Sequence, residues 1–287
     1  LDTLEIFRAV AHEGGILRAA EKLNRVPSNV STRVKQVEER LGVALVRRRG
    51  RNVVLTDAGR TLLGYAERLL KLASEAEGAT REAPGFGQLL IGSMESTAAS
   101  RLPKLLSRFH LRYPDVRLAI ETGTSDALLR KVRDYHIDAA FVGEPFLAEG
   151  LSARPIFDET LVLVTSKAHK VVRRASDLGP ATVLTFAGGC SYRKRLEEWL
   201  ARDNATVERV LELASYQVII ACAAAGTGCG IVPVSVVESL RAAREVKCHR
   251  LPAVIARNTT HLVWIGEPSP PLAYLLEHAT GDGQALP

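Results

Sequence analysis

Apolar positions at the front of the chain recur at helical spacing. Leu4, Phe7, Val10 and Ala11 share one face of a first helix, and Ile16, Ala19, Ala20 and Leu23 fall at i, i+3, i+4 and i+7 on a second. Asn24 and Arg25 break that pattern, and Pro27 opens a third helix where a missing N–H costs nothing. Val26, Val30, Val34, Val37 and Leu41 form its apolar stripe, and Gly42 ends it. The opposite face carries Ser28, Asn29, Thr32, Arg33 and Gln36, side chains able to hydrogen-bond a base edge or a phosphate. Small alanines on the second helix let the third cross it closely, which is the shape of a helix-turn-helix. The plain alternative is a helical hairpin with a solvated polar face.

Residues 45–49 and 51–55 then read as two short strands around a basic turn bearing Arg47, Arg48, Arg49 and Arg51. Beside a helix-turn-helix this is a wing, whose arginines lie along phosphates or enter a minor groove. Arg51 is expected at the tip and Arg47 pointing inward. Thr56 is expected to cap a long helix, with Asp57 at its positive end. Leu62, Ala66, Leu69, Ala73 and Ala76 recur at steps of 4, 3, 4 and 3, a heptad seam widened by Leu63 and Leu70. Such a stripe calls for a second copy of the chain, so Leu62, Ala66, Leu69 and Ala73 are the expected dimerisation residues. Pro84-Gly85-Phe86-Gly87 reads as a hinge.

Beyond Gln88 strands and helices alternate. Strands are expected at 89–92, 116–121, 139–142, 182–186, 207–213 and 229–232, and helices at 96–113, 125–135, 191–201 and 216–225. Residues 151–157 and 160–165 read as two paired strands, the second crossing to a new sheet. Strands near 246–251 and 260–265 and a helix around 272–278 close the chain. The alternation predicts α/β domains with mainly parallel sheets, and ligands at the carboxyl ends of strands against helix N-termini.

Charge sharpens the picture of the front end. Residues 1–55 hold 11 Lys+Arg against 6 Asp+Glu, and the other 232 hold 27 against 26, so +5 of the net +6 sits beside the helix pair. That is a local footprint for a polyanion. The leading LDTLEIFRAV has no basic stretch ahead of an apolar core, and the longest apolar run, 218–225, is far short of the ~20 residues a membrane span needs. A cytoplasmic location is therefore expected, away from any membrane. Cys190, Cys222, Cys229 and Cys248 are scattered, which argues against a disulfide framework or a zinc site. No G-x-S-x-G, Walker loop or His pair at metal spacing is present. The run Gly226-Thr227-Gly228-Cys229-Gly230 follows a helix and precedes a strand, the reverse of a dinucleotide site. Neither an enzyme nor a bound cofactor is expected.

The motifs together resemble the DNA-binding part of LysR-type transcriptional regulators. The match runs through Ile6-Phe7, Val10-Ala11, Glu13-Gly14, Arg18-Ala19-Ala20-Glu21-Lys22-Leu23, Val30-Ser31, 38–45 and Leu55-Thr56-Asp57-Ala58-Gly59, keeping identity and spacing. Residues 226–233 are also similar to a motif of the family's effector domain. The resemblance implies a winged helix-turn-helix with a long dimerisation helix, then an effector domain of two periplasmic-binding-protein-like α/β subdomains. It implies a bacterial homodimer or homotetramer bound to double-stranded promoter DNA, RNA polymerase as a further partner, and control by a small molecule between the subdomains. The expected boundaries are 1–58, 59–87 and 88–287, with one subdomain over about 88–161 and 267–287 and the other over about 162–266. Two departures stand out. Val26 and Pro27 replace the family's usual capping Ser and DNA-contacting Gln, and Gly15 replaces a Ser.

On this reading the DNA-binding residues are Arg18, Ser28, Asn29, Ser31, Thr32, Arg33, Gln36, Arg48, Arg49 and Arg51. Effector-binding candidates are Glu95, Ser96, Thr97, Thr124, Gly143, Cys190, Ser191, Tyr192 and Gly228, clustered where strands meet helix starts. Each is equally readable as a plain helix cap. Hydroxyls and free N–H groups suit a small carboxylate, and Glu95 favours an amine-bearing or zwitterionic metabolite. Cys190, at a helix start where the dipole lowers a thiol pKa, opens a redox-sensing alternative. The rival from another class is a solute-binding or enzymatic α/β module with an accessory helical domain.

Overall fold

The computed structural model describes residues 1–49, 52–79 and 87–279. The chain forms two compact units, Leu1–Glu82 with Asp134–His136, and Ala83–Arg133 with Ile137–Pro287. The first contains α1 (Asp2–Glu13), α2 (Ile16–Lys22), α3 (Pro27–Leu41), β1 (Val46–Arg49), β2 (Asn52–Leu55) and α4 (Asp57–Ala79). Gly14 and Gly42 end α1 and α3 in the left-handed conformation. Ile6, Ala9, Val10, Ala19, Ala20, Val30 and Val34 make one core cluster, and Phe7, Val37 and Leu45 a second beneath the wing.

The apolar stripe expected on α3 is shorter than its spacing implies. Val30, Val34 and Val37 are buried, but Val26 and Leu41 are 64% and 45% exposed. Val26 is the N-cap, with extended dihedrals (φ −76°, ψ 141°) that turn its side chain off the helical face. Leu41 lies at the other end of the helix, beyond the last buried valine.

The wing is fastened at several points. Glu38 Oε1 accepts the N–H groups of Leu45 and Val46 at 2.7 and 3.1 Å. Val53 N donates to the Gly14 carbonyl at 2.8 Å. Thr56 Oγ1 accepts Gly59 N–H at 3.0 Å, the cap expected of it, and donates to the Ala44 carbonyl at 2.7 Å. At Gly59 a Cβ would stand 2.0 Å from the Leu45 carbonyl oxygen, so only glycine lets α4 start against the wing.

The second unit contains β3 (Gly87–Ser93), α5 (Glu95–Ser100), α6 (Leu102–Arg112), β4 (Val116–Thr122), α7 (Ser125–Arg133), β5 (Ala139–Gly143) and β6 (Ser152–Ser166). It continues with β7 (Ala181–Thr185), α8 (Ser191–Arg202), β8 (Val207–Glu212), α9 (Tyr216–Ala224), β9 (Gly230–Pro233), α10 (Val234–Ser239), β10 (Val246–Arg250), α11 (Ala253–Ala256), β11 (Arg257–Trp264) and α12 (Pro270–Ala279). The single helix expected over 96–113 is two. It breaks at Arg101 because Pro103, in the first turn of α6, has no N–H and clashes with a preceding carbonyl.

The two strands expected at 151–157 and 160–165 are one continuous strand, β6, of 15 residues. Its first part pairs with β11 over Ser152–Thr160, and its second with β9 and β10 over Leu161–Ser166. The sheets are mixed rather than mainly parallel: β3 is parallel to β4 and β5, and β7 to β8, whereas β11 and β6 run antiparallel to their partners. Their reversal follows from β6 and β11 crossing between the two halves instead of returning through a helix. β11, inside the span 162–266 expected for the second subdomain, lies in the sheet between β5 and β6. Residues 228–230 pack backbone to backbone on β7. A Cβ at Gly228 would stand 2.3 Å from the Thr182 carbonyl oxygen, and Cys229 N–H donates to that oxygen at 3.0 Å.

Gly59→Ala should destabilise the first unit by about 1–3 kcal/mol through this overpacking. Urea unfolding monitored on that unit checks it, and wild-type stability would contradict the close approach.

Candidate nucleic-acid interface and effector site

Ser28, Asn29, Ser31, Thr32, Arg33 and Gln36 are all exposed along one side of α3, while Val30, Val34 and Val37 are buried on the other. The polar side therefore contributes nothing to the core and is free to meet a partner. Arg48 and Arg49 are exposed on β1. Arg47 is exposed too, contrary to the inward orientation expected, since a two-stranded ribbon leaves both faces of its outer residues to solvent. Arg51 lies outside the described residues. Arg18 has a positioning role within the unit. Its Nε donates to the Glu13 carbonyl at 2.6 Å, and its guanidinium reaches Asn52 Oδ1 at 3.4 Å, tying the turn before α2 to β2.

The expected dimer seam is rotated. Ala66 is fully buried, and Leu62 packs with Leu63 against Phe7, Val37 and Leu45. Among the described residues the large exposed apolar side chains of α4 are Tyr65, Leu69 and Leu72, at 56%, 49% and 61%, spaced by 4 and 3 on one face, with exposed Ala76 four residues further on. Of the four expected residues Leu69 alone stays with that stripe, and Ala73 is half-buried.

In the second unit, a polar seam runs where the two halves face each other across β6. Ser96, Thr97, Ser191 and Tyr192 are buried within it, with Cys190 at the N-cap of α8. Tyr192 is fully enclosed, which drives its phenol pKa up, and its hydroxyl lies beside those of Ser96 and Thr260. The Tyr192, Ser96 and Thr260 hydroxyls and the Asn258 amide lack a well-formed hydrogen bond. At Gly143 a Cβ would meet Ser191 Oγ at 2.7 Å and Asn258 Nδ2 at 3.2 Å, so this glycine admits the seam's polar groups.

Asn258 and Thr260 were not anticipated. The signal was available, because they alternate with Leu262 on β11 and so put polar side chains on its buried face.

Glu95 caps a neighbouring helix. Its Oε1 takes the Tyr216 N–H and the Ser215 hydroxyl, both at 3.4 Å, at the start of α9. Its Oε2 is buried without a partner, and burial raises its carboxyl pKa. Thr124 Oγ1 accepts Ala127 N–H at 3.4 Å at the start of α7. Lys194 Nζ of α8 bridges to Asp126 of α7 at 2.9 Å across the mouth of the seam. Nearer the crossing, Arg101 Nε donates to buried Glu159 at 2.7 Å and Ser235 Oγ donates to its other oxygen at 2.8 Å. A cavity of about 10 Å³ remains beside Cys190, Tyr192 and Tyr216, room for about one water. Gly228 is a packing glycine on β7, as described above.

Burial also reverses the reading of Cys190 as a thiol activated by a helix start. Desolvation pushes its pKa up and outweighs the N–H groups of Tyr192 and Arg193. Burial likewise raises the Cys229 thiol to about 11.

Residues 1–60 match the family described as "Bacterial regulatory helix-turn-helix protein, lysR family", and residues 83–281 match "LysR substrate binding domain". The HTH-type transcriptional regulator GltR of Bacillus subtilis (strain 168) is 35% identical over 252 residues, covering 88% of this chain and 85% of that protein. Among solved structures, ArgP from Mycobacterium tuberculosis superposes with TM-score 0.75 at 22% identity, covering 99% of this chain and 97% of that one. Full-length CbnR complexed with its target DNA gives TM-score 0.67 at 23% identity, covering 97% and 98%. These two establish likeness of fold.

With iodoacetamide at neutral pH, Cys190 and Cys229 of the folded protein should alkylate more slowly than the exposed Cys248. Peptide mass spectrometry reads the order, and modification of Cys190 first would contradict the assignment.

Proposed function

The chain belongs to the LysR family of transcriptional regulators, and from that premise we propose that it binds promoter DNA as a homo-oligomer under the control of a zwitterionic or amine-bearing metabolite. The observation that carries the DNA half is the exposed polar side of α3, flanked by Arg48 and Arg49 in the segment that holds nearly all the excess charge. Ser28, Asn29, Thr32 and Arg33 read base edges, with Ser31 and Gln36 alongside, and the wing arginines lie on phosphates. The exposed Tyr65, Leu69 and Leu72 stripe supports pairing of α4 with a second copy.

The effector half rests on the seam. Unpartnered buried hydroxyls and an amide are costly unless something completes their hydrogen bonds. A ligand's carboxylate takes the hydroxyls, and its amine takes Glu95 Oε2. Binding there shifts the two halves against each other about the β6 crossing, and that motion is the coupling to DNA. The spacing of recognition helices, and with it DNA bending and access of RNA polymerase, follows.

Anisotropy titration against the chain's own upstream intergenic DNA, across salt, tests the DNA half. Replacing Arg48 and Arg49 by Ala should weaken all sequences alike and reduce the salt slope by about 2, whereas Asn29→Ala or Arg33→Ala should cost about 1–3 kcal/mol at one base pair. Equal affinity for unrelated duplex at moderate salt would overturn the assignment. For the effector, Glu95 must be ionised to hold an ammonium group, and its pKa is raised. Affinity for an amine-bearing ligand should therefore rise as pH increases through the Glu95 pKa, and Glu95→Gln should remove both the binding and that dependence. Calorimetry against a metabolite panel reads this, and exclusive binding of amine-free carboxylates would contradict it.

A further inference from the structure

We propose, resting on the DNA-reading role given to α3, that the apolar corner of Val26 and Pro27 reads the C5-methyl group of a thymine in the major groove. Val26 stands four residues before the buried Val30, yet its extended backbone turns it outward and leaves it 64% exposed. Pro27, the first residue of the helix, is exposed beside it. A Ser, Thr, Asp or Asn at position 26 would cap the helix, and valine forgoes that stabilisation.

Other exposed apolar residues of this unit sit elsewhere. Leu1 precedes α1, Leu17 is on α2, Tyr65, Leu69 and Leu72 line α4, and Leu41 and Val43 lie at the far end of α3, about 20 Å away at 1.5 Å per residue.

The alternative use of a helix start, gripping a phosphate through free N–H groups, is weakened here. Pro27 has no N–H, and those of Asn29 and Val30 already donate to the Val26 carbonyl at 3.0 and 3.4 Å. What the corner offers instead is an apolar surface next to the hydrogen-bonding Ser28, Asn29 and Thr32. The thymine methyl is the apolar feature of the major-groove edge, and apolar side chains recognise it by contact.

The test starts from an operator selected by the full chain from a random duplex pool. Each thymine is then replaced by uracil, which removes the methyl and leaves the hydrogen-bonding edge intact. At one position or more, uracil should weaken wild-type binding by about four-fold, the worth of one buried methyl-sized group. In Val26→Ser or Pro27→Gln the thymine and uracil duplexes should bind alike; both substitutions are at exposed sites and Val26→Ser restores a helix cap, so melting temperature should not fall. Uracil without effect anywhere, or an effect undiminished in both variants, overturns the proposal. Failure of the pool to enrich any sequence would instead sink the DNA-reading role beneath it.

Discussion

One strand constrains the whole second unit. β6 pairs with β11 in its first part and with β9 and β10 in its second, so a single backbone is hydrogen-bonded into both halves. The halves cannot separate without tearing that ladder. At the change-over sits Glu159, buried and held by Arg101, at the break between α5 and α6, and by Ser235 of α10. A buried carboxylate paired in this way is costly to break by removing either cation or hydroxyl. The crossing is thus stiff, while the seam beyond it, with hydroxyls lacking good partners, is the weaker contact.

In the first unit, the residues proposed to read DNA are not those that hold the fold. Valines hold α3 to the bundle, and the side that meets solvent is uniformly polar apart from its apolar start. Glu38, Arg18, Thr56 and Gly59 fix the wing by contacts that leave Arg47, Arg48 and Arg49 exposed. The exposed side of α3 can therefore be substituted with small effects on folding, since exposed positions away from caps and packing seldom cost much.

The helical front was legible because a 3.6-residue period specifies which side chains share a face, and Pro27 and Gly42 mark ends through φ alone. The same period could not say what covers each face. On α4 it pointed to Ala66, which the protein's own packing claims, and the free stripe through Tyr65, Leu69 and Leu72 became visible only once that neighbour was in place. The break at Pro103 was readable and missed; the cost of proline inside a helix is local chemistry. Val26 shows the reverse, a residue of the right spacing whose cap dihedrals remove it from the stripe.

By itself the amino-acid sequence determined the element types, the concentration of charge beside one helix pair, and a family pattern specific enough to name the function. Those are properties of neighbours in the chain. Tertiary structure alone decided the direction of β6 and β11, the joining of two expected strands into one, and the convergence of Ser96, Tyr192, Asn258 and Thr260 from three elements. Strand direction and buried polar clusters depend on partners far apart in sequence, and a local period carries no information about them. The same holds for Cys190, where the helix start lowers its pKa and burial raises it, and only the surrounding atoms determine that burial prevails.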